Sequence, residues 1–408
     1  MTTMTLTDYR RFLLQSRLIS AQQLDEIVSD LQEHSLGKEV SADTLGRHLI
    51  RARRLTSWQH LYLLRGFSGF HVGSYTLLRS LGRGGMSHVY LAKHRKLDRV
   101  VALKIMIPSQ ASNETVLQRF QHESDAHRSL KHPHIVRAYD SGEHGNMHYM
   151  AMEFVNGSDL NRIVGKQGPL SYRKAAHVIA QSARGLGHIH QHGLVHRDIK
   201  PANLLMNKQG VVKISDLGVV RLFLPDGESL TLSGDGRMLG TLDFLSPEQA
   251  LDPHRIDGRA DLYSLGCTMY FLLTGKVPFE ATIPAQRLLM HQLHEPPALE
   301  QHRPDIPPEI VKVCRKLMAK RPAQRYSNAE EVAKHLEDWL EKAGTSTLQE
   351  GAHSQNGRSQ ADRSVFTDTA HGEVSNVTLV APKRQQVEKL RFSLDWEAPF
   401  GEFPRETK

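Results

Sequence analysis

At 408 residues with 39% hydrophobic side chains, the chain is long enough for one large domain or two to three ordinary ones and apolar enough to pack them. The formal charge of +8 and the pI near 9.4 come from Lys and Arg scattered without a basic block interleaved with aromatics. That argues against a nucleic-acid interface and leaves a basic surface suited to acidic substrates or a phosphorylated loop.

No apolar run approaches the ~18 residues of a membrane span; the richest, Cys267 to Leu273, is too short. Met1 to Arg17 carries polar interruptions where a signal peptide would be apolar. Cys267 and Cys314 sit in apolar helical patterns without metal-ligand spacing, so both are expected to be reduced core residues. A cytoplasmic protein is the expectation.

Residues 6 to 66 read as helical, with Leu13, Leu14, Leu18, Leu24, Ile27 and Leu31 near a helical period. Within them Leu18 to Leu24 echoes Leu55 to Leu61 at an offset of 37 residues, and in each copy a Ser or Thr precedes a helical run as a candidate N-cap. Residues 1 to 72 are therefore either a small module built by duplication or a helical extension packed on the next domain. From Tyr75 short strand-like runs follow: Tyr75 to Leu81, Ser87 to His94 and Arg99 to Ile107. A helix over Glu114 to Leu130 and strands at Ile135 to Tyr139 and His148 to Phe154 complete a β-rich part over 75–155. Residues 156–342 are mostly helical, so the fold class is α+β with two lobes. Residues 343–408 are rich in Gly, Ser, Thr, Gln and Asn and read as a disordered tail. Its apolar end, Val377 to Val380 with Leu390, Phe392, Leu394, Trp396 and Phe400, reads as a docking peptide or as plain tail.

The chemistry concentrates in four places. Leu81-Gly82-Arg83-Gly84-Gly85-Met86-Ser87-His88-Val89, between two strands, lets backbone N–H groups approach phosphate oxygens. Val101-Ala102-Leu103-Lys104 ends in a charge that needs a partner, and Glu123 on the next helix offers one. His196-Arg197-Asp198-Ile199-Lys200-Pro201-Ala202-Asn203 puts a base, a cation for phosphate and a metal ligand on one loop, the requirements of phosphoryl transfer. Asp216-Leu217-Gly218 and Ser246-Pro247-Glu248 follow. His188, His190, His192 and His196 form a histidine cluster, but no Cys or carboxylate completes a metal shell.

In order and rough spacing these motifs resemble the eukaryotic-like protein kinases, and Gly84-Gly85-Met86 with Ser246-Pro247-Glu248-Gln249 resembles their bacterial serine/threonine members, over about Tyr75 to Leu340. The resemblance implies a bilobal kinase fold that uses ATP and magnesium and acts on protein Ser or Thr hydroxyls. It implies that Lys104, held by Glu123, contacts the α- and β-phosphates beneath the glycine loop. Adenine would lie between Val89 and Ala102 above and Leu205 below, with Met152 as gatekeeper, backbone bonds from the hinge Glu153-Phe154-Val155, and Asp159 at the ribose. Asp159 also reads as a helix N-terminal charge. Asp198 would be the base with Lys200 beside it, and Asn203 and Asp216 the magnesium ligands. Lys200, and Thr241 after Gly240, favour serine/threonine specificity.

Arg197 beside Asp198 implies activation by phosphate on the segment after Asp216, at Ser229, Thr231 or Ser233, with Thr231 first. Asp261 would hold the catalytic-loop backbone and Arg325 would pair with Glu248. Ser87 in place of a third glycine, Leu217 for Phe and Ser246 for Ala depart from the pattern. Relatives often carry a membrane span and an outer sensor after the kinase domain; here only the tail follows, so sensing is expected to be intracellular or delegated. Two other readings are a pseudokinase scaffold working through the N-terminal helices, where a protein partner would bind, and a small-molecule kinase. The intact catalytic set opposes the first and the activation segment the second.

Overall fold

The computed structural model describes residues 4–34, 39–84, 87–107, 114–217, 242–252 and 255–355. Gly85 and Met86 of the glycine loop lie outside them, as do Gly218, Ser229, Thr231, Ser233, Gly240, Thr241 and the apolar tail positions from Val377 to Phe400. The chain divides into two units, Met1–Leu340 and Glu341–Lys408.

Four helices open the first unit: α1 (Leu6–Gln15), α2 (Ala21–His34), α3 (Ala42–Arg51) and α4 (Ser57–Leu63). Each begins at a hydroxyl side chain that accepts a backbone N–H three residues on: Thr5 from Asp8, Ser20 from Gln23, Ser41 from Thr44 and Thr56 from Gln59. Such caps satisfy N–H groups the helix itself cannot.

The buried positions of the helices repeat. α1 and α3 start 36 residues apart, and at that spacing buried Tyr9, Leu13 and Ile19 match buried Leu45, Leu49 and Leu55. Arg17 and Arg53, with φ of 54° and 56°, occupy the same left-handed turn. The repeat register is thus 36, one less than the letters of Leu18 and Leu55 suggest, because caps and buried faces set the register. The inward residues make one apolar cluster with Phe70.

The helices also pack against the sheet that follows them. β1 (His71–Val72), β2 (Tyr75–Arg83), β3 (Ser87–His94), β4 (Val100–Met106), β5 (Ala138–His144) and β6 (Met147–Glu153) make an antiparallel sheet in the order β1-β2-β3-β4-β6-β5. A bulge in β2 between Leu77 and Arg79 takes Leu78 out of the ladder. Thr56 Oγ1 donates to the Leu78 carbonyl at 2.6 Å and Gln59 Nε2 to that of Leu77 at 2.7 Å. Trp58 packs on Phe70 and Tyr90 beside them.

The helix α5 (Glu114–Ser129) precedes β5, which starts three residues later than expected. Ile135 and Val136 are instead buried, and Ile135 makes an isolated parallel bridge with Ile214. Burial of their side chains between the lobes takes precedence over ladder pairing at that point.

In the larger lobe a second sheet holds β7 (Gly157–Asp159), β8 (Leu204–Asn207) and β9 (Val212–Ile214). Around it lie α6 (Leu160–Gln167), α7 (Tyr172–Gln191), α8 (Pro247–Leu251), α9 (Arg259–Thr274), α10 (Pro284–Leu293), α11 (Leu299–His302) and α12 (Pro308–Leu317). The core runs through α7, α9 and α12. α9 is apolar on nearly every face and carries Cys267; Cys314 lies on α12, and both thiols are free and buried. The last helix, α13 (Ala329–Gln355), continues past the expected boundary at 342. Once a docked start such as Ala329 to Leu336 is helical, each further residue adds a hydrogen bond at little cost. Among the described residues no helix is long and apolar enough to cross a membrane.

Candidate active site

The catalytic loop is built from below. Asp261, in the first turn of α9 and fully buried, accepts the backbone N–H of His196 at 2.8 Å and of Arg197 at 2.7 Å, while His190 Nε2 lies 2.8 Å from it. Burial alone would push its carboxyl up; the contact with His190 and the charge of that ring outweigh it and leave the group below its usual value. So anchored, Arg197 takes a left-handed φ of 65°, and Gln249 of α8 donates to its carbonyl at 3.1 Å. The Asp198 N–H donates to His196 Nδ1 at 3.2 Å, which leaves the ring proton on Nε2 to bond the Ser215 carbonyl at 3.1 Å.

Pro201 then starts a short 3-10 turn, Pro201–Asn203, which folds Asn203 back onto Asp198. Its Nδ2 donates to the Asp198 carbonyl at 2.8 Å and to Oδ2 at 3.0 Å, and Lys200 Nζ stands 2.8 Å from the same Oδ2. The three polar residues expected on this loop form one hydrogen-bonded group.

Facing them, Lys104 of β4 reaches Glu123 of α5 at 2.6 Å and Asp216, just after β9, at 3.0 Å. Burial works against the Lys104 ammonium, but the carboxylates of Asp216 and Glu123 outweigh it and hold its pKa well above the usual value. The Lys104 charge in turn draws Asp216 down to about 2. Asp216 holds a φ of 53°, a strained conformation for a non-glycine residue and one that recurs at functional sites.

The sequence reading passed over His127. It lies one turn beyond Glu123 on the same face of α5, is 1% exposed, and its Nε2 accepts the Leu217 N–H at 3.1 Å. Burial and then the Lys104 charge push its pKa down to about 3, so the ring is neutral. The spacing of four from Glu123 was the available signal.

The expected adenine residues also converge. Leu81, Val89, Val155 and Leu205 pack on one cluster that contains Ala102 and Met152, drawn from four strands of the small lobe, the hinge and the large lobe. Gly82 pairs with Val89 and Arg83 with His88, and the Gly84 N–H donates to the Ser87 carbonyl at 2.7 Å. Ser87 sits in an extended strand opposite Met106, a conformation any residue adopts, so its side chain introduces no strain there. His88 alternates to the other face of β3 from Val89 and lies against Tyr90, so only its backbone belongs to the glycine loop.

In the hinge, the Glu153 N–H is engaged by the Arg137 carbonyl and its carboxylate lies 3.0 Å from Lys213. Asp159 caps α6, accepting the Arg162 N–H at 2.8 Å, which is its helix-charge reading.

Arg325 makes a two-pronged pair with Glu248 at 2.5 and 2.8 Å. Of the other histidines, His188 stacks on His132 and lies beside His192, while His190 serves Asp261. Among the described residues no group of three or more His, Cys, Asp or Glu could hold a metal ion.

Three comparisons bear on this arrangement. The protein kinase domain model matches residues 75–339. Serine/threonine-protein kinase PknB of Mycolicibacterium smegmatis is 39% identical over 266 residues, 64% of this chain and 42% of that protein. PrkC of Bacillus subtilis is 36% identical over 260 residues, 64% of this chain and 39% of that protein. The chain thus spans about two fifths of the length of these curated relatives. The crystal structure of the Mycobacterium tuberculosis PknI kinase domain superposes with a TM-score of 0.53 at 27% identity, covering 67% of this chain and 98% of that one. The protein kinase domain model spans more than half of the chain, and with the Lys104–Glu123 pair facing the Asp198 loop the chain belongs to the protein kinase domain family.

Proposed function

We propose that this protein transfers the γ-phosphoryl group of ATP to Ser or Thr hydroxyls of protein substrates. The observation that carries this reading is Lys104 bridging Glu123 and Asp216 opposite a hydrogen-bonded Asp198, Lys200 and Asn203. In this reading Asp198 orients the substrate hydroxyl and accepts its proton, Lys200 stabilises charge beside it, and Lys104 holds the α- and β-phosphates. The site fits magnesium: the Asn203 amide turns its nitrogen to Asp198 and presents its oxygen on the other side, and Asp216 adds a carboxylate, both hard oxygen donors. Bound magnesium would supply charge neutralisation for the transferring phosphoryl group.

Activation by phosphate at Ser229, Thr231 or Ser233 is supported by Arg197 next to Asp198, and mass spectrometry of active protein showing all three unmodified would remove it. A cytoplasmic location is in keeping with the free thiols of Cys267 and Cys314. The test of the main reading is phosphate incorporation with ATP and magnesium. Asp198→Asn and Lys104→Met should each lower it by about 10²–10⁴-fold, and equal incorporation by all three proteins would defeat the assignment.

A further inference from the structure

Between the N-terminal module and the small lobe lies a cleft of about 580 Å³ that shares no residue with the catalytic site. The module contributes Arg17, Arg53 and Arg54 to it, and the end of β3 and the following turn contribute Lys93 and Arg95. The one carboxylate in the lining, Asp98, pairs with Lys93. Among the described residues, no carboxylate pairs with Arg17, Arg53, Arg54 or Arg95.

Two features show that the cleft is more than scattered surface charge. Arg17 and Arg53 hold φ of 54° and 56° just past the ends of α1 and α3, where the Arg17 N–H closes on Leu14 and that of Arg53 on Ile50. Glycine is favoured at that position, and both halves of the repeat carry arginine and its backbone strain instead. The positive field is also felt by a neighbour: His71, which bonds Thr76 Oγ1 at 3.0 Å in the same cleft, is lowered in pKa first by burial and then by the Arg95 charge.

We propose that this cleft binds a compact polyanion bearing two or more phosphoryl groups, which ties the α1–α2 and α3–α4 turns to the β3–β4 turn. Its volume is that of a small-molecule site. Four unpaired guanidinium groups offer forked donors that match phosphate oxygens. No Phe, Tyr or Trp lines the cleft, so nothing there would stack a base, and a nucleotide is disfavoured against a polyphosphorylated small molecule. An occupant would offset the repulsion among these cations and couple its binding to docking of the module on β2, so saturation should raise the unfolding temperature. The proposal does not depend on the catalytic reading, because neither its residues nor its readout involve phosphoryl transfer.

The test is isothermal titration of sodium tripolyphosphate into the full chain, with Lys104→Met to identify any binding in the nucleotide cleft. Saturable binding that Lys104→Met leaves unchanged is expected, weakened tenfold or more by Arg17→Gln with Arg53→Gln and by Arg95→Gln. Arg47→Gln, whose guanidinium pairs with Asp43, should leave it unchanged. Circular dichroism monitors the fold, and the single Arg95→Gln change carries the test if the double variant does not fold. Equal affinity in the unchanged chain and the arginine variants of the cleft, loss of binding in Lys104→Met, or an equal thermal shift from sulfate at matched ionic strength would overturn the proposal.

Discussion

The catalytic loop and the N-terminal module are both held by side chains that cap main-chain groups, but over very different chain distances. In the module every helix is capped from three residues away, as Thr5 caps Asp8 and Ser41 caps Thr44. In the catalytic loop the N–H groups of His196 and Arg197 wait for Asp261, 65 and 64 residues on. A local cap forms with its helix and can be lost alone. A remote buried carboxylate exists as a partner only after α9 has packed, so loop geometry and large-lobe folding stand or fall together.

The sharpest way to break this contrast is Asp261→Ala. It strips two buried N–H groups and His190 of their partner and should cost about 3–5 kcal/mol in denaturant unfolding, with activity lost in the same variant. A full loss of activity at unchanged stability would mean that loop geometry is uncoupled from the folding of the large lobe.

His127 probes the same principle across the lobes. His127→Leu keeps the packing but leaves the Leu217 N–H unpaired, and a loss of about 1–3 kcal/mol is expected together with a lower kcat. His127→Gln, which restores an acceptor, should recover part of both.

Buried neutral histidines also predict the acid response. His127 and His291 are both pushed down to about 3, chiefly by burial, so in the folded state neither takes up a proton where an unfolded histidine does. Stability from this source is complete above about pH 6.5 and falls as pH drops toward 3, by about 1.4 kcal/mol per pH unit for each ring. Unfolding curves at several pH values should show the slope flattening when His127 is replaced.

The smallest effect belongs to the local side of the comparison. Gln59→Leu removes half of a capping box and the bond to the Leu77 carbonyl, and about 1 kcal/mol is expected in thermal unfolding with the rest of the module intact. A loss as large as that of Asp261→Ala would make the module as integral to the fold as α9.

The sequence by itself determined most of the candidate site, because Lys104, Asp198, Lys200, Asn203 and Asp216 stand in motifs whose spacing is set by the loops and strands they end. It also determined the module's helices, whose caps and apolar periods are local. Strand β3 was legible residue for residue, since its alternation is bounded by glycine and a charged turn.

The tertiary structure alone decided the rest. It fixed the 36-residue register of the repeat, which buried faces set and matching letters misplace. It made His127 a partner of Leu217, 90 residues away. It also gathered Arg17, Arg53 and Arg95 around one cleft, although each reads alone as an isolated surface charge. The physical reason is common to these cases: a side chain's role follows from the groups that packing brings against it, and those groups lie too far along the chain for spacing to reveal.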